Sequence, residues 1–168
     1  MASFTEIMPQ EMTDNVFKLI GEDWALVTAG TEECFNTMTV SWGGAGILWN
    51  KPVAFTFIRP QRYTFGFTER GDCFSMSFFD EEHRAALRYC GSKSGRDVDK
   101  VKETGLTPAF SAEGIPYFEE ARLVLLCKKL YAQDLAEACI RDDMVKQFYQ
   151  DDYHKMYVSK ILRVLKKA

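Results

Sequence analysis

The chain has 168 residues, of which 46% are hydrophobic and 27% charged, with a formal net charge of -3. This composition suits one globular domain over residues 1–168, and the charge argues against a nucleic-acid binder that relies on a broad basic surface. No apolar run reaches the roughly 20 residues of a spanning helix, and the N-terminus lacks the basic start and apolar core of a signal peptide. The expectation is a cytoplasmic protein that enters no membrane.

In chain order, Trp24 to Ala29 reads as a strand ended by Gly30, and Phe35 to Trp42 as its hairpin partner, with Thr31 to Cys34 as the turn. Pro52 to Arg59 and Cys73 to Phe79 are strands by their β-branched, aromatic and alternating character. Tyr63 to Arg70 fits a short helix or a turn. Asp80 starts a helix with Glu81 and Glu82 at its positive end, and Gly91 stops it. A second helix is expected from about Arg96 to Thr104, ending at Gly105. Leu123 to Ala132 is an apolar strand, Leu135 to Ile140 is ambiguous, and Met156 to Leu165 closes the fold. The basic residues from Lys160 to Lys167 alternate with apolar ones, as in a half-buried terminal strand. Strands that follow one another directly point to a mainly β protein, an antiparallel sheet or barrel with small helical insertions.

Three hydroxyls, Thr37, Thr39 and Ser41, stand at alternate positions between Asn36, Met38, Val40 and Trp42. On a strand they share one face, where they can meet a flat, hydrogen-bonding ligand. Arg59-Pro-Gln-Arg62-Tyr63-Thr64 then adds two guanidinium groups, whose forks match phosphate geometry. Cys90-Gly-Ser92-Lys-Ser94-Gly95-Arg96-Asp97 offers serines, glycines and cations between two helices, a ready phosphate loop if backbone N–H groups converge there. A plain helix–helix turn with Gly91 as C-cap explains the same loop. The added Arg59, Arg62 and Thr64 tip the balance to the anion site. A flat polar ring with a phosphate tail describes a mononucleotide cofactor.

Other chemistries find less support. Gly43-Gly-Ala-Gly46 does not extend to a dinucleotide fingerprint, because Trp49 holds the place of the third glycine and a strand follows. The five cysteines are scattered without a C-x-x-C pair, so no metal site is expected. Cys90 lies near a helix C-terminus and reads as structural. Paired carboxylates such as Asp151-Asp152 have the solvated turn position as their ordinary explanation. His154, ahead of the final strand, is the histidine placed for a site role.

Asn36 to Gly44, Trp49 to Pro52, Arg59 to Thr64, Ser77 to Phe79 and Tyr89 to Asp97 together resemble the flavin reductase-like family of FMN-binding split-barrel proteins, in particular its flavoredoxin-like branch. The resemblance runs from about Trp24 to Ile161 and implies a six-stranded Greek-key barrel that forms a homodimer, with FMN near the subunit interface. It implies that Asn36, Thr37, Met38, Thr39, Ser41 and Trp42 line the isoalloxazine and ribityl chain, and that Arg59, Arg62, Tyr63 and Thr64 surround the phosphate. Ser92, Ser94, Gly95, Arg96 and Lys100 would add donors to the same anion, and His154 would face a nicotinamide.

Three functions are compatible with that resemblance. One is an NAD(P)H:flavin reductase, passing hydride from NADH or NADPH to flavin N5. The second is an electron carrier with tightly bound FMN and a redox partner protein. The third is a flavin-binding module without turnover of its own. In each, the flavin carries the chemistry and the protein supplies binding and orientation.

Overall fold

The structure, a computed structural model, describes residues 3–168. Ten strands are present among them: β1 (Phe4–Ile7), β2 (Ala25–Gly30), β3 (Phe35–Val40), β4 (Gly43–Leu48), β5 (Lys51–Ile58), β6 (Cys73–Phe78), β7 (Pro108–Phe110), β8 (Pro116–Phe118), β9 (Leu123–Asp134) and β10 (Lys155–Lys167). The α-helices are α1 (Val16–Lys18), α2 (Tyr63–Arg70), α3 (Arg84–Ser92), α4 (Lys100–Thr104) and α5 (Asp143–Lys146). Eight strands form one antiparallel sheet in the order β3-β2-β6-β9-β10-β5-β4, with β1 added on β10, while β7 and β8 pair separately. No described helix is long and apolar enough to cross a membrane.

The expected mainly β split barrel is present, with eight strands in its sheet where six were expected. The additions are β1 and the glycine-rich β4. Glycine disfavours a strand, but the Trp49–Asn50 turn has φ of 52° and 55° and folds β4 back on β5 as a hairpin. Pro52 is tolerated in β5 because it pairs with Ile47 of β4 and lies beyond the β10 pairing, which ends at Val53. The sheet does not close, since β3 and β4 lie at opposite ends of the strand order. Only Ser41 and Trp42 connect those two strands in sequence, so the chain itself spans the split.

Side-chain alternation explains why the central strands read as continuous apolar runs. On β9, Leu123, Leu125 and Cys127 enter one core with Val27, Met76 and Tyr157, while Val124 and Leu126 enter a second with Leu87, Cys90 and Phe118. The first core fills the inside of the curled sheet. The second lies under α3 and β8, so both faces of these strands are dry. The helices differ from expectation at their ends. Asp80 makes no capping bond and instead lies 3.7 Å from Arg122 Nε. Gly91 sits within α3 and Lys93 is its C-cap, and an ideal Cβ at Gly91 would come 3.3 Å from Thr39 Cβ. Its small size lets α3 approach β3. The next helix starts at Lys100, capped by Asp99, rather than near Arg96.

Candidate functional site

At the split, Met38, Thr39, Val40, Ser41 and Trp42 from the end of β3 face Phe57, Arg59, Arg62 and His154 across a cleft of about 200 Å³. A second cleft of about 230 Å³ lies between the start of α2 (Arg62, Tyr63, Thr64) and the loop after α3 (Ser92, Ser94, Arg96), with Lys100 behind it. Arg62 lines both clefts. The two blocks separated in sequence are therefore neighbours.

The second cleft has the makings of an anion site. Arg62 is the N-cap of α2, yet no side chain caps that helix start. The first N–H groups of a helix lack intrahelical partners and attract negative charge. The loop contributes no helix start of its own, contrary to the expectation that its backbone opens the following helix. Arg62 donates from Nη2 to the Gly91 carbonyl at 3.0 Å, which fixes its guanidinium between α2 and α3. Burial, with Arg59 adding to it, pulls its pKa down, and a guanidinium remains charged. Arg96 lies over the Tyr63 ring at 4.9 Å and donates to the Gln61 carbonyl at 3.2 Å. Ser92 Oγ donates to the Tyr89 carbonyl and Ser94 Oγ accepts from Arg96 N–H, so both hydroxyls sit at the loop's surface with one partner in the fold.

Several expected contacts are spent inside the protein. Thr37 Oγ1 meets Thr28 Oγ1 at 2.9 Å and donates to the Val27 carbonyl, because the β2–β3 register places Thr28 opposite it. Thr39 Oγ1 donates to the Leu87 carbonyl of α3. Of the three-hydroxyl stripe, Ser41 is the exposed member. Asn36 is buried and donates to Thr64 Oγ1 at 2.7 Å, tying β3 to the start of α2. Lys100 Nζ donates to the carbonyls of Thr37 and Cys90 at 2.7 and 2.8 Å. Chiefly through burial, the Lys100 pKa falls to about 8 and the Cys90 thiol rises to about 11, which makes that thiol unreactive at neutral pH. Lys100 thus braces β3 against α3 and backs the cleft.

Arg59 does not join the second cleft. It pairs with the Asp152 carboxylate, donates to the Phe148 carbonyl at 2.7 Å, and lies 5.4 Å from the Tyr149 ring centre. Gln61 donates to the same carboxylate at 2.8 Å. These contacts hold the segment ahead of β10 beside the first cleft, where Phe148 packs edge-on against Trp42 at 5.5 Å. His154 lies 5.0 Å from the Trp42 ring, and its Nδ1 is 3.1 Å from the Tyr149 hydroxyl. Burial, then the nearby Arg59 charge, lowers the His154 pKa to about 4, so its ring is neutral at neutral pH. Asp152, Gln61, Phe148 and Tyr149 escaped the sequence reading. The Asp151-Asp152 pair was visible, but a turn carboxylate shows no signal of the arginine 93 positions away.

Residues 18–165 match the family model described as "Flavin reductase like domain". No curated protein matches the chain. Among solved structures, an FMN-binding protein from Thermus thermophilus with bound p-hydroxybenzaldehyde is similar at 22% identity and TM-score 0.69, covering 96% of this chain and 81% of that one. A flavoredoxin of Desulfovibrio vulgaris is 18% identical at TM-score 0.68, covering 96% and 77%. An NADH:FAD oxidoreductase of Streptomyces globisporus is 14% identical at TM-score 0.65, covering 86% and 75%. At such identities the structural likeness establishes the split-barrel fold.

Proposed function

This chain belongs to the flavin reductase-like domain family of flavin-binding oxidoreductases, and we propose that it holds FMN along the two joined clefts and passes hydride to it from NADH or NADPH. The observation that carries this reading is the uncapped start of α2, flanked by Arg62, Ser92, Ser94 and Arg96, opening through Arg62 into a cleft walled by Trp42 and His154. The donor set fits a phosphate, and the aromatic cleft fits a planar ring. Bound there, the flavin would supply the hydride acceptor. Arg62, Arg96 and the first N–H groups of α2 would hold its phosphate, and main-chain groups of β3 with Ser41 would meet its polar ring edge. Thr37, Thr39, Asn36 and Lys100 act one layer behind, fixing β3 against β2, α2 and α3. His154, neutral and packed on Trp42, would orient a nicotinamide by contact without carrying charge.

Anaerobic mixing of the FMN-loaded protein with NADH or NADPH is expected to bleach the flavin absorbance on a catalytic timescale. His154→Ala is expected to slow that step and leave FMN bound. The same variant has a stability signature. The His154 pKa is below its ordinary 6.5, so the unfolded chain binds more protons between pH 6.5 and about 4, and stability falls as pH drops through that window. Removing the imidazole should flatten the fall, as read by denaturant unfolding at several pH values.

One observation favours a second reading. The segment carrying Phe148 and Tyr149 packs on Trp42 and His154 at the wall of the ring cleft, pinned by Arg59 and Gln61 to Asp152, and we infer that it narrows access to a ring bound there. A ring with access narrowed in this way exchanges electrons with a protein partner more readily than with a stacking nicotinamide. Fast reduction by a reduced redox protein, with no reduction by either nucleotide, would establish the carrier and exclude the reductase, whereas reduction by dithionite alone would leave a flavin-binding module.

A homodimer belongs to the same proposal. Ile47, Trp49 and Tyr131 are exposed, and Trp49 packs edge-on to Tyr131 at 6.3 Å beside the open edge of β4. Exposed apolar groups along an unpaired edge are characteristic of interfaces. Sedimentation at micromolar concentration is expected to give twice the chain mass, and a monomer would remove this element.

A further inference from the structure

The Tyr149 hydroxyl lies 3.1 Å from His154 Nδ1, and neither that hydroxyl nor the His154 ring makes another hydrogen bond among the described residues. The two nitrogens of an imidazole point away from each other. With Nδ1 engaged by Tyr149, Nε2 is the nitrogen left for the cleft that His154 lines with Trp42, Arg59 and Arg62. We propose that Tyr149 is a positioning residue: its hydroxyl donates to Nδ1, which places the imidazole proton on Nε2 and makes His154 a neutral hydrogen-bond donor to a carbonyl oxygen bound in the ring cleft. The inference rests on the flavin site proposed above.

The direction of the Tyr149–His154 bond follows from the acidity of its two sides. A phenol releases its proton at about pH 10, a neutral imidazole N–H is far less acidic, and the bare imidazole nitrogen is a stronger base than a phenol oxygen. Burial raises the Tyr149 pKa against the opposing pull of Arg59, so the hydroxyl has a proton to donate at neutral pH. Burial and the Arg59 charge, opposed by Asp152, keep a second proton off the imidazole. One ring nitrogen is then bare, and a hydrogen bond accepted there assigns the proton to the other. The phenol itself is held in place. Tyr153 stacks on it with centroids 4.5 Å apart, its ring meets His154 edge-on at 5.5 Å, and the Arg59 guanidinium lies 5.4 Å from its centre. Arg59 is fixed in turn by Asp152 and the Phe148 carbonyl, and Trp42 packs on the imidazole at 5.0 Å. Two carbonyl sources fit such a donor: the pyrimidine carbonyls of a flavin and the carboxamide of a nicotinamide. A neutral donor bonds either one without adding a cation beside a nicotinamide, which becomes cationic on giving up hydride.

The test is NMR of the histidine ring nitrogens in the flavin-free full chain at neutral pH. His83 and His154 are the two histidines, so His154→Ala assigns the signals. The wild type is expected to show His154 with a protonated Nε2 and a bare Nδ1 displaced by the hydrogen bond it accepts, and Tyr149→Phe is expected to abolish that displacement. A protonated Nδ1 in the wild type, or an unchanged Nδ1 in the variant, would overturn the proposal. Loading with FMN and then adding NAD+ identifies the carbonyl. A shift of the Nε2–H signal with FMN assigns it to the flavin, a shift only after NAD+ assigns it to the carboxamide, and no shift with either would overturn the donor role. Tyr149→Phe is also expected to slow single-turnover reduction of bound FMN by NADH about two- to tenfold, the worth of one hydrogen bond, while FMN affinity changes less than twofold. Equal losses of rate and of FMN affinity would show a structural role alone and overturn the positioning role. FMN-loaded wild type that neither nucleotide reduces would remove the reductase reading alone, because the tautomer and the flavin contact are read without hydride transfer. Failure to bind FMN would remove the flavin reading, and the donor role with it.

Discussion

Arg62→Ala is expected to weaken FMN binding by roughly ten- to a hundredfold and to leave riboflavin binding nearly unchanged. One charge-assisted hydrogen bond to an anion contributes about 1.5–3 kcal/mol, and a tenfold change is about 1.4 kcal/mol. The effect should be at the upper end because Arg62 is half-buried and held by the Gly91 carbonyl, so little conformational freedom is lost on binding. Riboflavin separates phosphate recognition from a general disturbance of the site, since it has the same ring and ribityl chain without the anion. Parallel calorimetric titrations of both ligands check this. Equal losses would show that Arg62 holds the ring cleft in shape and does not see the phosphate.

Gly95→Ala is expected to destabilise the fold and to lower FMN affinity at least tenfold. An ideal Cβ at Gly95 would stand 2.0 Å from Asn36 Oδ1 and 3.0 Å from Tyr63 Cδ1. The Asn36 amide has nowhere to go. It is 8% exposed, and its other end donates to Thr64 Oγ1 at 2.7 Å. Accommodating the methyl group means breaking that bond or lifting the loop, and an unsatisfied buried polar group costs about 1–3 kcal/mol. For a chain of this size about 1 kcal/mol moves the melting temperature by about 2–4 °C. The loop would also withdraw Ser94 and Arg96 from the cleft. A double-mutant cycle isolates the cause: in an Asn36→Ala background the obstructing amide is gone, so Gly95→Ala should cost much less. Additive losses in thermal melts would show that the close approach does not matter.

The residues of the candidate site were legible in the sequence to different depths. The strand Phe35–Val40 and the cluster of Arg62, Tyr63, Thr64, Ser92, Ser94 and Arg96 were visible because each block carries its own local signal. The orientation of the hydroxyls was not. Alternation places Thr37 and Thr39 on one face, but whether that face meets a ligand or the protein depends on Thr28 across the hairpin and on Leu87 of α3. The sequence places Lys100 one helical turn from the anion loop, but its two carbonyl partners lie 63 and 10 positions away and capture its ammonium once the chain is packed. Arg59 departs for the same reason, captured by Asp152 once β10 pairs with β5. In the fold, β4 escaped because its glycines suppress the strand signal that the Trp49–Asn50 turn then overrides. Local chemistry marks the candidate residues, and long-range register decides which of their atoms remain free for a ligand.

The groove beside the uncapped start of α2 is proposed to hold a flavin phosphate. Titrating the flavin-free wild-type chain with FMN and with riboflavin tests it most directly. One FMN per chain is expected, bound at least tenfold more tightly than riboflavin, with the preference shrinking as salt screens the arginine contacts. Equal affinity for the two ligands, or no FMN binding, would contradict it.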